Sequence, residues 1–473
     1  MKASTIAERE ARGRAAREKS KRSSHKTVGT FERDPIELLR QSSEGRVQNL
    51  VPLRYGRMAV SPFTFFRGTA ILQAHDLSKV HDTGLTMPIC GDGHLMNFGG
   101  FATPERQLVF DLNDFDEVSV GPFEWDLKRL TASLVIAARH MRLSRGTAEN
   151  LVMTAVGEYR NRMAQYAQSG ALELWYERIT FDRMADTALT PERRRAVRRG
   201  MEKAASRTHE SLFEKMAERD GDHWVIRDAP PALFHVLGAN TLFTAEEADE
   251  LKGGHARKIL EAVWSDYTKT LSHDRRELLA HFTLHDTVFK VVGVGSVGTR
   301  CTAMLLVDHQ DKPLFVQMKE ARPSVIARYY KSDKSAAVKH EGERVVQGQR
   351  MLQAASDIFL GWATSPLGRH YYFRQLRDMK LSANVELFDT DLLTGYAQLC
   401  GWVMARAHAK ASGQAVEVSA YIGRGDQFAE ALTAYATSYA DQVERDYDVF
   451  LKACRSGALE ARTDEDMAAD FRM

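Results

Sequence analysis

A valine-rich block between two helical regions limits the fold of this chain more than any other feature of its sequence. Three β-like runs lie within the block, at 287–308, 313–321 and 371–376. Helical patterns occupy 145–280 before it and the chain beyond 385 after it. Short valine-rich runs bounded by glycine are typical of strands. The sequence therefore predicts an α+β chain with one small sheet among helices.

Length and composition exclude several classes of protein. The 473 residues exceed one ordinary core, so two or three domains or lobes are expected. The formal net charge of +2 provides no global field for nucleic acid or membrane surfaces, so a nucleic-acid partner is not expected. No apolar run is long enough to span a bilayer. Four widely spaced cysteines, without a C-x-x-C pair, predict reduced thiols in a cytoplasmic protein.

The first 30 residues hold nine basic and three acidic side chains. This composition predicts a solvated tail, and the alternative of a nucleic-acid-binding arm lacks aromatic residues for base stacking. Asp34 and Pro35 then provide the signals that begin a helix. The predicted parts are a flexible basic tail at 1–33, a part with two acidic stretches at 34–145, a helical lobe with an insert at 146–282, a small β-rich lobe at 283–384 and C-terminal helices at 385–473.

The glycines of "GVGSVG" predict a phosphate-binding flap. Gly293, Gly295 and Gly298, with Ser296 between them, fit the dinucleotide pattern G-x-G-x-x-G. That pattern requires a helix after the third glycine, whereas the strand-like "TRCTAMLLVD" follows here. Glycines at the tip of a β-hairpin instead allow the backbone to approach nucleotide phosphates. A plain glycine hairpin without a ligand is the alternative.

A lysine on the next run strengthens this interpretation. Lys319 lies in "FVQMKEA", and a lysine on a half-buried strand is unusual unless it is paired. Beside a phosphate flap it would bind phosphate oxygens, oriented by a glutamate of the following helix. Glu343 is the preferred glutamate and Glu341 the alternative. Gln375, at the end of the third β-like run, is also assigned to the nucleotide site.

"GDGHLMNFGG" places Asp92 five residues before Asn97. Together with the glycine flap and the lysine, this spacing resembles the protein-kinase and aminoglycoside-phosphotransferase superfamily. The catalytic loop of aminoglycoside-type kinases reads roughly His-Gly-Asp-x-His-x-x-Asn, and here Cys90 replaces the leading histidine. The resemblance implies that Asp92 and His94 belong to the catalytic loop, with Asp92 at the acceptor hydroxyl, and that Asn97 binds a metal ion.

"LVFDLNDFDE" resembles the metal-binding element of the same superfamily. Asp126-Leu127 lies twelve residues after Asp114, as in aminoglycoside-type kinases. The resemblance implies that Asp114 binds Mg²⁺ and that Asp114-Phe115-Asp116 corresponds to Asp-Phe-Gly. Asp116 departs from the glycine and is assigned to a second metal ion. Asp111 is the alternative to Asp114 as the ligand, and an acidic turn without function is the remaining interpretation.

The order of these motifs differs from that of a kinase. In kinases the flap and the lysine precede the two acidic motifs, whereas here the acids at 92–126 come first and the flap and lysine near 293–319 follow. "YAQLCGWVMARAHAKASG" (396–413) resembles the helix that leads into a kinase catalytic loop. The sequence thus predicts a circularly permuted, two-lobed protein-kinase-like fold, with a small antiparallel sheet lobe and a larger helical lobe.

From about residue 34 to 455 the chain resembles the family called domain of unknown function 2252. Stretches such as "CGDGHLMNFGGF", "VFDLNDFDE", "QMKEARPS" and "CGWVMARAHA" carry this resemblance. Arg67 and Arg344 belong to such stretches, and each is assigned either to phosphate binding and site organisation or to a buried structural role.

The expected activity is ATP- and Mg²⁺-dependent phosphoryl transfer. A small-molecule acceptor is favoured, and a protein acceptor is also compatible with the motifs. The alternatives are nucleotidyl transfer and a nucleotide-binding pseudokinase or scaffold. A metallohydrolase is disfavoured, because one histidine among carboxylates is a poor zinc set.

Overall fold

The computed structural model describes residues 4–29, 31–187, 190–235, 255–331, 338–376 and 379–469. Parts of the predicted helical region, at 188–189 and 236–254, lie outside these ranges, and so do the last four residues. None of the helices in the described ranges combines the length and the hydropathy that a membrane span requires.

The helices are labelled here in chain order, as far as the described residues show them. They are α1 Ile6–Lys19, α2 Pro35–Ser43, α3 Val51–Met58, α4 Pro62–Arg67, α5 Ala70–Leu77, α6 Phe123–His140, α7 Arg145–Tyr166, α8 Ala171–Tyr176, α9 Phe181–Thr187, α10 Pro191–Ala205, α11 His209–Met216, α12 His255–Lys269, α13 His273–Leu279, α14 Val325–Tyr329, α15 Glu341–Leu352, α16 Thr390–Ser412, α17 Ala415–Ile422, α18 Gln427–Arg455 and α19 Asp464–Ala469.

The strands in the same ranges are β1 Thr86–Ile89, β2 Phe98–Ala102, β3 Leu108–Leu112, β4 Ser119–Pro122, β5 Ala217–Asp220, β6 His223–Ile226, β7 Leu233–Phe234, β8 Phe282–Lys290, β9 Cys301–Asp308, β10 Pro313–Glu320, β11 Gly361–Thr364, β12 His370–Gln375 and β13 Leu381–Ser382. The chain is therefore α+β, as predicted. The region predicted to be mainly helical also contains β5 to β7.

One antiparallel sheet of six strands has the order β11-β12-β10-β9-β8-β7. Strands β8 and β9 are antiparallel neighbours, and residues 291–300 join them. The glycines of "GVGSVG" thus lie at the tip of a hairpin, as predicted. The sheet also includes β7, which the sequence analysis did not identify, and its pairing with β8 joins the preceding helical region to the sheet.

The core of the helical part is formed by α6, α7, α16 and α18. Almost every residue of α6 between Phe123 and Ala138 is buried. Helices α7 and α16 approach each other closely, because a Cβ atom on Gly401 would lie 2.1 Å from the Ala155 carbonyl oxygen. Two smaller sheets, β1-β4 and β13-β2-β3, lie beside this core and carry the acidic stretches toward the glycine hairpin.

The N-terminal segment differs from the flexible tail that the sequence analysis expected. Residues 6–19 form α1, which begins with a capping box between Thr5 and Glu8. Arg12 forms an ion pair of 2.7 Å with Glu417. Arginines of this segment also donate to backbone carbonyls at the C-terminal end of α17, where the helix dipole favours cations. Arg17 and Arg22 therefore bind a helix end, while Arg14, Lys19, Lys21 and Lys26 remain exposed.

Candidate active site

The loop after β1 holds Asp92 in a tightly constrained backbone. Gly91 has φ of 81°, a conformation that favours glycine. A Cβ atom there would lie 2.3 Å from the Glu117 carbonyl oxygen, so the loop packs directly on the acidic turn. Cys90, which stands in place of the histidine of aminoglycoside-type kinases, is fully buried, and its thiol donates to the Asp114 carbonyl oxygen at 3.2 Å.

Asp126, in the first turn of α6, holds this loop in place through hydrogen bonds to its backbone. Its carboxylate accepts the backbone N–H groups of Cys90 and Gly91 at 2.7 and 2.8 Å. His408 of α16 lies with Nε2 3.2 Å from the same carboxylate, and Tyr159 lies 3.0 Å from His408 Nδ1. This buried chain of polar groups ties the loop to three helices.

Arg129 sets the environment of the Asp92 carboxylate. Its Nε donates to Asp92 Oδ1 at 2.7 Å, and its other nitrogens bind Gln73 and the Phe66 carbonyl oxygen. Burial raises the pKa of Asp92 to about 7, although Arg129 opposes this shift. Asp92 is therefore a carboxylate with 21% of its side chain exposed and a raised pKa, which suits general-base chemistry.

His94 is buried beside Asp92, with 4.0 Å between His94 Nε2 and Asp92 Oδ2. Burial, together with Arg129 and Arg67, lowers the pKa of His94 well below its ordinary value. The neutral ring accepts the Met96 N–H at Nδ1, which assigns its proton to Nε2. His94 thus caps the short turn that leads to Asn97.

Asn97 and the acidic turn after β3 lie next to each other. The Asn97 side-chain amide nitrogen donates to the Asp92 backbone carbonyl oxygen at 2.7 Å, and the Asn97 backbone carbonyl oxygen accepts the Asn113 N–H at 2.9 Å. Asp114 accepts the Asp116 N–H. These contacts bring the two motifs of the sequence analysis, 92–97 and 114–116, into one site.

Lys319 joins the sheet to the acidic turn. Its ammonium donates to the carboxylate of Asp116, 203 residues earlier in the chain, and to Ser296 Oγ of the glycine hairpin at 2.9 Å. Tyr372 of β12, opposite Lys319 in the sheet, donates to the other oxygen of Asp116 at 2.8 Å. Burial opposes the charge of Lys319, but Asp116 raises the pKa of the lysine above its ordinary value.

The lysine partner therefore differs from the predicted one. Neither Glu343 nor Glu341 contacts Lys319 in the described part of the chain. The Glu341 carboxylate binds Arg344 on the same helix, and the Glu343 backbone N–H donates to His340. The carboxylate that pairs with Lys319 belongs to Asp116, the residue at which the sequence departs from Asp-Phe-Gly.

The donors available to a metal ion are Asp114 and Asn97. Asp111, the alternative ligand, is fully buried and binds Arg406 and the Ala354 N–H at 2.7 Å each, which makes it a structural residue. Asp116, assigned to a second metal ion, has both carboxylate oxygens engaged by Lys319 and Tyr372.

Among the residues that the structure describes, no three acidic, histidine or cysteine side chains form a metal cluster. A carboxylate and an amide oxygen still fit Mg²⁺, which typically binds one or two carboxylates together with substrate phosphates and water.

Two cavities meet at this cluster. One has a volume of about 490 Å³ and contains Asp92 and His94. The other, of about 720 Å³, contains Lys319 and Gln375. They share Arg67, Asn97, Asp114, Gly293 and Ser296. Molecules bound in the two cavities would therefore both contact this shared group of residues.

The glycine hairpin closes the junction of the cavities. Gly293 and Gly298 have φ of 61° and 84°. A Cβ atom on Gly295 would lie 3.1 Å from the Arg67 carbonyl oxygen, so the hairpin rests on the end of α4. Gln375 lies at the far end of the larger cavity, where its side chain binds Asp357 at 2.9 Å.

The two arginines singled out in the sequence have different surroundings. Arg344 donates to the carbonyl oxygens of Asp116, Val118 and Arg322, which ties the acidic turn to α15. Its site-organising role is therefore visible in its contacts. Arg67 lines both cavities, and its Nε is buried without a hydrogen-bond partner among the described residues.

Sequence reasoning missed two residues of the site and one pairing between predicted residues. Arg129 follows Asp126 by three positions, a spacing that puts both side chains on one face of α6 and could have indicated it. The pairing of Asp116 with Lys319 could have been indicated by the aspartate that stands in place of the glycine of Asp-Phe-Gly. His408 belongs to a stretch that resembled the family, but nothing local connects it with Asp126, 282 residues away.

Comparison with known proteins identifies the same family as the motifs. Residues 46–453 match the sequence model of a family described as "Uncharacterized protein conserved in bacteria (DUF2252)". No curated protein and no solved structure matches the chain.

Proposed function

The chain belongs to the DUF2252 family, and we propose that it is an ATP- and Mg²⁺-dependent phosphotransferase with a circularly permuted, kinase-like two-lobed fold. The observation that carries this proposal is the contact of Lys319 with Asp116 and Ser296. Phosphate flap, strand lysine and acidic turn come from distant parts of the chain, yet they converge where the cavities of Asp92 and Gln375 meet.

The proposed arrangement places the nucleotide in the cavity of Lys319 and Gln375, with its phosphates at the glycine hairpin. The acceptor occupies the cavity of Asp92. In the reaction, the acceptor hydroxyl oxygen bonds to the γ-phosphorus, the bond from that phosphorus to the β,γ-bridging oxygen breaks, and the hydroxyl proton passes to Asp92.

The residues of the chain mainly provide position and charge. Lys319 compensates phosphate charge, and Asn97 holds the Asp92 backbone through its amide nitrogen. Asp114 and the Asn97 oxygen would bind Mg²⁺, which would neutralise charge on the phosphate oxygens. Lys319 already has an anionic partner in Asp116, so nucleotide binding would require its ammonium to be shared with, or transferred to, a phosphate oxygen.

The permuted topology is supported by the contacts of α16. This helix follows the sheet in the chain, yet its His408 reaches Asp126 beneath the catalytic loop, which precedes the sheet. In a kinase the corresponding helix continues directly along the chain into the catalytic loop, whereas here the helix and the loop are far apart in sequence and meet through side-chain contacts. Function depends on the geometry of the site and not on chain order.

The proposal is tested by supplying ATP labelled in the γ- or the α-phosphate, with Mg²⁺ and a mixture of cell metabolites. We expect a labelled product from the γ-label alone. A product from the α-label would indicate nucleotidyl transfer instead. Nucleotide binding without transfer to any acceptor would favour the scaffold.

Two variants separate the roles of the acid and the lysine. Asp92→Asn should leave ATP affinity nearly intact and lower turnover by roughly 10² or more, the scale of losing a general base. Lys319→Ala should weaken binding and turnover together, because its ammonium meets phosphate in the ground and transition states. Asp222→Asn, in the exposed turn between β5 and β6, is the control. Parent-like turnover in Asp92→Asn would refute the assignment of the catalytic loop.

A further inference from the structure

Three arginines line the cavity of Asp92 and bind only neutral groups. Arg46, Arg54 and Arg322 all contribute to its wall. In the described part of the chain, their hydrogen-bond acceptors are four backbone carbonyl oxygens, of Ser42, Glu44, Gly68 and Val297, and the hydroxyl of Ser43. None of the three forms an ion pair with a carboxylate in the described ranges of the chain. We call them the arginine wall.

Three of the six carboxylates that line the same cavity have cationic partners. Asp92 binds Arg129, Asp116 binds Lys319, and Glu320 lies within ion-pair distance of two other arginines. Glu44, Asp114 and Glu117 make no ion pair among the described residues, and Glu117 accepts the Val325 N–H at 2.7 Å. The charge of Glu117 acts on Arg46 and Arg322, but in the described ranges no carboxylate lies within ion-pair distance of the arginine wall.

The surroundings make this arrangement costly without an anion. Arg54 is 1% exposed, and its Nε is buried with no hydrogen-bond partner among the described residues. Burial, and then the charge of neighbouring arginines, lowers the pKa of Arg46 well below its ordinary value. A buried, unpaired charge destabilises a fold unless a ligand compensates it. Guanidinium groups are suited to planar or tetrahedral oxyanions.

We propose that the arginine wall binds an anionic oxygen group of the acceptor, a phosphate ester or a carboxylate, while the acceptor hydroxyl faces Asp92. This inference rests on the proposed function, because it identifies the Asp92 cavity as the acceptor site. The volume of about 490 Å³ suits a small molecule that carries both groups.

The position of the wall separates this role from nucleotide binding. Lys319 and Gln375 line only the larger cavity, whereas the three arginines of the wall line only the smaller one. Arg67 lines both and lies where transferred phosphate and acceptor would meet. The phosphates of a nucleotide would therefore meet Lys319 and Arg67, and the arginine wall remains for the other substrate.

Inorganic phosphate and acetate are the probes, titrated into the full chain by calorimetry without ATP and at constant ionic strength, with glycerol as the neutral control. We expect phosphate or acetate to bind and glycerol not to bind.

Arg322→Gln and Arg46→Gln should each raise the Kd for the anion by roughly tenfold or more, the scale of losing a charge-assisted hydrogen bond. Arg40→Gln is the matched control, since exposed Arg40 also donates to a backbone carbonyl but lies outside the cavity. Its Kd should equal that of the parent.

Thermal unfolding verifies that each variant folds, and Arg322→Lys, which keeps the charge, should recover part of the affinity. Tighter binding of phosphate than acetate identifies a phosphate ester, and the reverse identifies a carboxylate. The inference is overturned if neither anion binds the parent, if Arg322→Gln and Arg46→Gln bind like the parent, or if Lys319→Ala alone abolishes binding.

The acceptor found by the labelling experiment completes the test. An anionic acceptor should show a KM about tenfold higher in Arg322→Gln, with the KM for ATP unchanged. A neutral acceptor would overturn the inference and leave the phosphotransferase intact. Arginine-dependent anion binding without any transfer would support the anion site and refute the proposed function.

Discussion

Asp116 shows how one residue departs from a motif and still serves the site. Where the Asp-Phe-Gly motif that this stretch resembles has glycine, the chain has a carboxylate that accepts from the ammonium of Lys319 and the hydroxyl of Tyr372. Lys319 is 2% exposed, so its charge would lack a direct partner without this carboxylate. Asp116 therefore supplies the carboxylate that the sequence analysis expected from Glu343 or Glu341.

Removing either charge of this pair should destabilise the fold. Asp116→Asn leaves a buried ammonium unpaired and should lower the free energy of unfolding by about 2 kcal/mol, less than for a fully buried pair because Asp116 is 26% exposed. Lys319→Met should have a similar effect. The double variant should lose less free energy of unfolding than the sum of the two single losses, and denaturant titrations should give a coupling of about 1 kcal/mol. Additive losses would show that the two groups stabilise the fold independently.

Helix α1 and the turn after it form an element that depends on one histidine. His25, in the 3₁₀ turn Arg22–Lys26, is 1% exposed, with Nε2 2.7 Å from the Tyr421 hydroxyl. Burial, and then the charge of Lys128, lowers the pKa of His25 to about 3. The folded chain therefore holds this imidazole neutral at pH values where the unfolded chain protonates it.

Acidification should weaken the fold through this element. Because the folded pKa lies below the unfolded value, the stabilising contribution is complete above about pH 6.5 and is lost as the pH falls toward 3. The free energy of unfolding should decrease by about 1.4 kcal/mol per pH unit in this window from His25 alone. His25→Gln should reduce the slope by that amount in denaturant titrations between pH 5 and 6.5. Exposed His81→Gln is the control, and an unchanged slope in His25→Gln would contradict the prediction.

Helix α16 is a second element with a long-range role. Its Arg406 is fully buried and binds Asp111 near the end of β3, and its His408 binds Asp126, which holds the loop of Asp92. Two residues within one turn of this helix thus support both acidic motifs. The helix positions the site without lining either cavity.

At the scale of the molecule, the candidate site lies between the six-stranded sheet and the helical part. Lys319 and the glycine hairpin belong to the sheet, whereas Asp92, Asn97 and Asp114 belong to the loops beside the helical core. Under the proposed function, a nucleotide with its metal ion would connect two parts that already meet here through the contacts of Lys319 and Tyr372 with Asp116.

ATP should raise the thermal stability only when Mg²⁺ is present, because selective binding to the folded state stabilises it by about 2.7 kcal/mol at a hundredfold excess over Kd. Asp114→Ala should remove most of the Mg²⁺-dependent increase in Tm. Asp111→Asn should lower the Tm of the free protein, since Arg406 loses its partner, but retain the increase. The opposite pattern would identify Asp111 as the ligand.

Local sequence patterns were sufficient to predict several parts of this fold. Valine-rich runs predicted the sheet, glycines followed by a strand-like run predicted the hairpin tip, and the Asp92–Asn97 spacing indicated a loop, whose two ends the structure joins by a hydrogen bond. These features are encoded within a few residues, because side-chain periodicity and turn geometry act over that range.

The tertiary structure was needed for the partners of these motifs. The ordered α1, the pairing of Lys319 with Asp116 and not with Glu343, and the support of Asp126 by His408 all join segments hundreds of residues apart. The arginine wall likewise gathers residues 46, 54 and 322 around one cavity. No local pattern encodes such pairs, because burial and electrostatic compensation depend on which surfaces the complete fold brings together.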